Sequence, residues 1–116
     1  MRHNRKVKKF GRMTDSRKAL FRGLATNLVI YEKIKTTEAK AKALRSTIER
    51  LITKAKKNNL TARRDLIKVL YTAGAVNKLL NVIAPKYKDR KGGYTRVIKI
   101  GQRKGDAAQA AYIEFV

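Results

Sequence analysis

The chain contains no cysteine and no tryptophan, a single proline (Pro85), a single histidine (His3) and only eight acidic residues in 116. Without cysteine there are no disulfides, thiolate metal sites or cysteine nucleophiles. His3 stands in a basic segment with no acid or thiol beside it, a poor setting for a metal ion. The acids Asp15, Glu32, Glu38, Glu49, Asp65, Asp89, Asp106 and Glu114 are scattered singly, and most have a basic residue within two positions. Ion pairing or helix capping accounts for them, and no catalytic constellation remains. The glycines of GGYTRVIKIGQRKGD fit neither the P-loop nor the dinucleotide fingerprint. No apolar run approaches a membrane span, and the N-terminus has no hydrophobic signal-peptide core. A cytosolic chain that is not an enzyme and needs no cofactor is the expectation.

What the sequence has in excess is positive charge. Thirty Lys and Arg against eight acids give a formal net charge of +22 and a pI near 10.9. Self-repulsion on that scale opposes compaction and points to a polyanionic partner, nucleic acid above all. The apolar share of 43% still supports a folded body. Residues 1–14 carry Arg2, Arg5, Lys6, Lys8, Lys9 and Arg12 and no acid, which reads as a basic arm that orders against phosphates. Residues 15–116 then form one domain.

Asp15 or Ser16 can cap a first helix whose stripe is Leu20, Leu24, Leu28 and Tyr31. A short strand follows at Lys33–Thr36. Thr36 or Thr37 can cap the longest helix, with Glu38 in its first turn and Ala41, Leu44, Ile48, Leu51, Ile52 and Ala55 facing inward. A third helix starts near Thr61, turns Leu66, Ile67, Val69 and Leu70 inward and stops at Gly74. A fourth uses Val76, Leu79, Leu80 and Ile83 and is broken by Pro85. Two strands, Tyr94–Ile100 and Ala111–Val116, close the chain around a polar loop. The order α-β-α-α-α-β-β predicts an α/β (α+β) domain with a small, mainly antiparallel three-stranded sheet packed on helices.

Lys and Arg neutralise phosphates and release counterions, and Arg adds a planar fork for bidentate contact. The candidate contacts begin with the arm (Arg2, His3, Arg5, Lys6, Lys8, Lys9, Arg12) and the start of the first helix (Arg17, Lys18, Arg22). They continue with Lys35 and the long-helix residues Lys40, Lys42 and Arg45. The last group frames the C-terminal hairpin: Arg90, Lys91, Arg96, Arg103 and Lys104. Alternation places Tyr94, Arg96, Ile98 and Ile100 on one strand face and Thr95, Val97 and Lys99 on the other. Tyr94 is a candidate for base stacking, with packing on the hairpin as its competing role. Charge at both ends and along the long helix suits embedding in a folded nucleic acid. There is no zinc-finger spacing, bZIP heptad or RRM motif. A nucleoid-type DNA binder or a basic amphipathic membrane binder would share the charge. The first lacks a groove-reading motif here, and the second lacks interfacial tryptophan.

Several stretches resemble the L-seventeen family of bacterial large-subunit ribosomal proteins. They are MRH at Met1–His3, RKALFRGLATNL at Arg17–Leu28, IKTTEAKAKALR at Ile34–Arg45, LITKAKK at Leu51–Lys57, GGYTR at Gly92–Arg96, RKGDAA at Arg103–Ala108 and AYIEFV at Ala111–Val116. The resemblance implies a two-layer domain without enzymatic activity. It further implies binding to 23S rRNA near the polypeptide exit tunnel, beside other large-subunit proteins that include protein thirty-two. Gln109 stands where members of the family often have proline.

Overall fold

A computed structural model of the protein describes residues 14–116. Helix α1 (Thr14–Tyr31) carries Asp15 in its first turn, where an acid favours the positive end of the helix dipole. Its buried side is Ala25, Leu28 and Val29, all fully buried, while Tyr31 is 69% exposed. The inward stripe is thus rotated from the expected one, since residues 25, 28 and 29 form one face at helical spacing. Glu32, with φ 63°, turns the chain out of the helix and into β1 (Lys33–Thr37).

Thr37 ends that strand and caps α2 (Glu38–Lys57), its hydroxyl accepting from the Lys40 amide at 3.4 Å. All six expected core positions of α2 are buried. Lys54, Lys56 and Lys57 crowd its negative end, and Asn58 closes it in the left-handed conformation. Asn59 caps α3 (Leu60–Val69) through a 2.7 Å bond from the Ala62 amide. Ala62, Leu66 and Leu70 face the core, whereas Ile67 lies on the flank and is exposed. Helix α3 stops at Val69 and not at Gly74, because Thr72 takes an extended conformation and caps the next helix. Gly74 falls in the first turn of α4 (Ala73–Lys78).

Pro85 does not break the fourth helical segment either. The chain passes from α4 through a π-helical turn (Leu79–Ile83) into the short α5 (Ala84–Lys86). A proline ring would press on the carbonyl four residues back in a regular α-helix. Here the coil is widened just before it, with the Ala84 amide bonded to the Leu79 carbonyl.

The C-terminal strands are β2 (Thr95–Gln102) and β3 (Gln109–Phe115). Strand order is β1-β3-β2 and both pairings are antiparallel. Ile113 faces Ile34 on one side and Val97 on the other. A bulge between Lys99 and Gly101 bends β2, and Gly101 takes the positive φ of 114° there. Helix α2 lies against β2 and β3 and contributes to the same buried cluster as Ala111, Ile113 and Tyr94. The predicted α+β class and element order describe this architecture, with α4, the π turn and α5 as one continuous stretch.

Candidate nucleic-acid interface

The segment between α5 and β2 is the most elaborately held basic loop. Tyr87 is buried, its hydroxyl donating to the Val116 carbonyl at 2.6 Å, and burial raises its pKa above the ordinary tyrosine value. The Arg90 amide donates to the Tyr87 carbonyl at 3.0 Å, closing a turn. From α2 below, Lys56 Nζ donates to the Arg90 carbonyl and, at 3.0 Å, to the Tyr94 hydroxyl. Glu49, also on α2, accepts from the Gly93 amide at 3.2 Å and from Thr95 Oγ1 at 3.1 Å. Gly92 and Gly93 have φ values of 128° and 62°, which glycine alone adopts without strain in the first case and most readily in the second. Lys88, Arg90 and Lys91 are left exposed on the outside of this turn, with no acidic partner among the described residues.

Tyr94 itself is only 2% exposed and stacks at a tilt on Tyr87, ring centroids 5.3 Å apart. It precedes β2 and points into the core, so no ring face is open to a base. The expectation of base stacking is corrected on that ground: the ring is packed against protein. Its hydroxyl pKa is held below the usual tyrosine value chiefly by the bond from Lys56.

Other predicted cations are engaged inside the protein. Arg103 grips Asp106 with two bonds of 3.1 and 2.6 Å, and the Ala108 amide donates to the same carboxylate. The guanidinium bond, then the amide, holds Asp106 below the ordinary carboxylate range. Arg96 pairs with Glu114 at 2.7 Å, with Lys33 on the same carboxylate at 3.8 Å. Lys42 and Lys99 share Glu38, whose pKa is lowered first by the bond from Lys42. Arg45 pairs with Glu49 at 3.2 Å. Arg22 stacks over Tyr71 with its guanidinium carbon 4.5 Å from the ring centroid and donates to the Val69 carbonyl at 3.0 Å. It ties α1 to the end of α3.

Arg17, Lys18, Lys35, Lys40 and Lys104 have no acidic partner among the described residues, and all but the half-buried Arg17 and Lys40 are exposed. Arg50, Lys54 and Lys57 on α2, Arg64 and Lys68 on α3, and Lys88 are likewise exposed and without an acidic partner among the described residues. Those on α2 follow from helical spacing, since they lie opposite its apolar stripe. The arm candidates Arg2, His3, Arg5, Lys6, Lys8, Lys9 and Arg12 lie outside the described residues. Among the described residues no group of acids and histidine is arranged to hold a metal ion, and no helix is long and apolar enough to cross a membrane.

The described residues thus present a broad basic surface. Residues 20–116 match the family model for ribosomal protein L17. The chain belongs to that family. It is 54% identical over 111 residues to the large ribosomal subunit protein bL17 of Symbiobacterium thermophilum, covering 96% of this chain and 98% of that one. The bL17 protein of Wolinella succinogenes is 52% identical over 116 residues, with both chains fully covered. That of Trichlorobacter lovleyi is 49% identical over 116 residues, covering all of this chain and 94% of its relative. The L17 family consists of structural ribosomal proteins and is not enzymatic.

Proposed function

We propose that this L17-family protein is a structural constituent of the large ribosomal subunit that binds 23S rRNA and stabilises its folded form. The observation that carries this reading is the set of cations left without an acidic partner, among the described residues, at the start of α1, the outer sides of α2 and α3, and the loop after α5. Each exposed Lys or Arg there can replace condensed counterions on a phosphate, giving affinity without sequence reading. Residues 1–14 add a basic arm to the folded unit of residues 15–116. Family resemblance supports a position near the polypeptide exit tunnel, beside neighbours that include large-subunit protein thirty-two, in the bacterial cytoplasm.

The test is a salt titration of binding to 23S rRNA. Replacing Lys8 and Lys9 by Gln, or Arg17 and Lys18 by Gln, lowers affinity and flattens log K against log salt by roughly 0.7–0.9 per lost phosphate contact. In a lysate, the protein co-sediments with the large subunit, and RNase releases it where DNase does not. A DNase-sensitive association would replace this reading with DNA binding.

A further inference from the structure

We infer that Lys56 and Glu49 are positioning residues of the rRNA interface: they clamp the loop 88–93 from beneath so that Arg90 and Lys91 meet phosphate already ordered. This rests on the rRNA-binding reading and adds two residues which touch no phosphate themselves.

Three observations support it. Glu49 and Lys56 are seven residues apart on α2, two turns along one face, and that face lies under the loop. Between them they engage the loop at both ends: Lys56 at the Arg90 carbonyl and the Tyr94 hydroxyl, Glu49 at the Gly93 amide and the Thr95 hydroxyl. Second, Lys56 is committed. Its ammonium also lies 5.2 Å from the Tyr94 ring centroid, and its side chain is partly buried, unlike the exposed and unpaired Lys54 and Lys57 on the same helix. A lysine whose charge is directed into the protein is a poor phosphate contact.

Third, the loop needs a clamp. It places Lys88, Arg90 and Lys91, with Asp89 among them, directly before a glycine pair, combining a net positive charge with the most freely rotating backbone available. Among the described residues Glu49 supplies the one carboxylate bonded to this loop from another element; it meets the loop through backbone and hydroxyl donors and pairs with Arg45 on its own helix, leaving the loop cations unpaired. A loop ordered in the free protein loses less entropy on binding than one that must be ordered by the RNA.

Two measurements on the full chain test this. In hydrogen exchange of the free protein, Lys56→Met speeds exchange of loop amides 90–93 by about ten-fold or more, while the amides of Leu44 and Ile48 keep their protection. In 23S rRNA binding, Lys56→Met weakens affinity with the salt slope unchanged, whereas Lys91→Gln lowers the slope by about 0.7–0.9. The double variant loses less than the product of the two single losses, because Lys91 acts through the clamped loop. Lys56→Met combined with Arg17→Gln loses the full product. Lys56→Arg restores much of the affinity, and Glu49→Gln serves as a second variant if Lys56→Met does not fold. A slope reduced by Lys56→Met would make Lys56 a direct phosphate contact and overturn the inference. So would loop amides that exchange as in the parent. Failure of the parent protein to bind rRNA would remove the functional reading alone, and the exchange experiment would still decide whether the clamp exists.

Discussion

Two basic loops flank strand β2, and they dispose of their charge in opposite ways. The one before it, 88–93, is tied to α2 through its backbone, and its cations stay free. The one after it, 103–108, is held by its own side chains: Arg103 closes on Asp106, while the Arg103 amide bonds to the Ala108 carbonyl at 2.8 Å. In sequence both are short, glycine-bearing and rich in Lys and Arg. A guanidinium that staples its own loop must break that pair before it can hold a phosphate, whereas Arg90 and Lys91 have nothing to break. Local charge density therefore measures potential for binding, and the hydrogen-bond partners of the backbone decide how much of it is available.

The contrast presupposes a common scaffold, so the largest expected effect tests that first. Ile113→Ala removes a fully buried side chain from the central strand, and denaturant unfolding is expected to show a loss of about 2–5 kcal/mol, with both loops disturbed together. Protection lost in one loop alone would show that they do not share a support. Gly92→Ala comes next. The added methyl meets nothing within 4 Å, so its cost is backbone strain at φ 128°, about 1–3 kcal/mol in stability. Gly105→Ala in the other loop has equally open space and no positive φ to satisfy, and is expected to change stability by under about 0.5 kcal/mol. Equal costs at the two glycines would erase the difference in how the loops are held.

Charge removal separates the loops further. Arg90→Gln with Lys91→Gln is expected to lower the salt slope of rRNA binding by roughly 1.4–1.8, that is, two phosphate contacts. Arg103→Gln is expected to leave it unchanged, and a drop of one full contact there would mean that RNA opens the Arg103–Asp106 pair. The smallest effect is a titration. Asp106 has a folded pKa below its unfolded value, so its contribution to the loop is present above the ordinary carboxylate range of about 4 and is lost as pH falls through the lowered value. Carboxyl NMR is expected to show that low midpoint, and Arg103→Gln to move it back up toward an unstructured aspartate.

Much of the fold was legible because it is written in local periodicity. The α2 stripe from Ala41 to Ala55 is core throughout, and the alternation of residues 95–99 separates buried Thr95 from exposed Arg96 and Ile98. Punctuation was less reliable where two readings of one residue compete. Gly74 is compatible with ending a helix, but the Thr72 hydroxyl two residues earlier makes the decisive bond to the Ala75 amide. Pro85 breaks a regular α-helix, but not one widened by a π turn. The site was half legible. Sequence locates Arg96, Arg103 and Arg45, yet the strand order brings Glu114 beside Arg96, and the placement of α2 on the sheet brings Glu38 beside Lys99. Lys56 looks like any lysine on a basic helix until the loop 34 residues further along is placed above it.

The position of β3 has a consequence for how the chain comes into being. It is the last of the described strands in chain order and the middle one of the sheet, so neither β1 nor β2 has its pairing partner until residues 109–115 exist. During synthesis the helices can begin to associate while both outer strands wait with unsatisfied edges. Sheet closure therefore waits on residues 109–115: without them neither β1 nor β2 has the strand it pairs with.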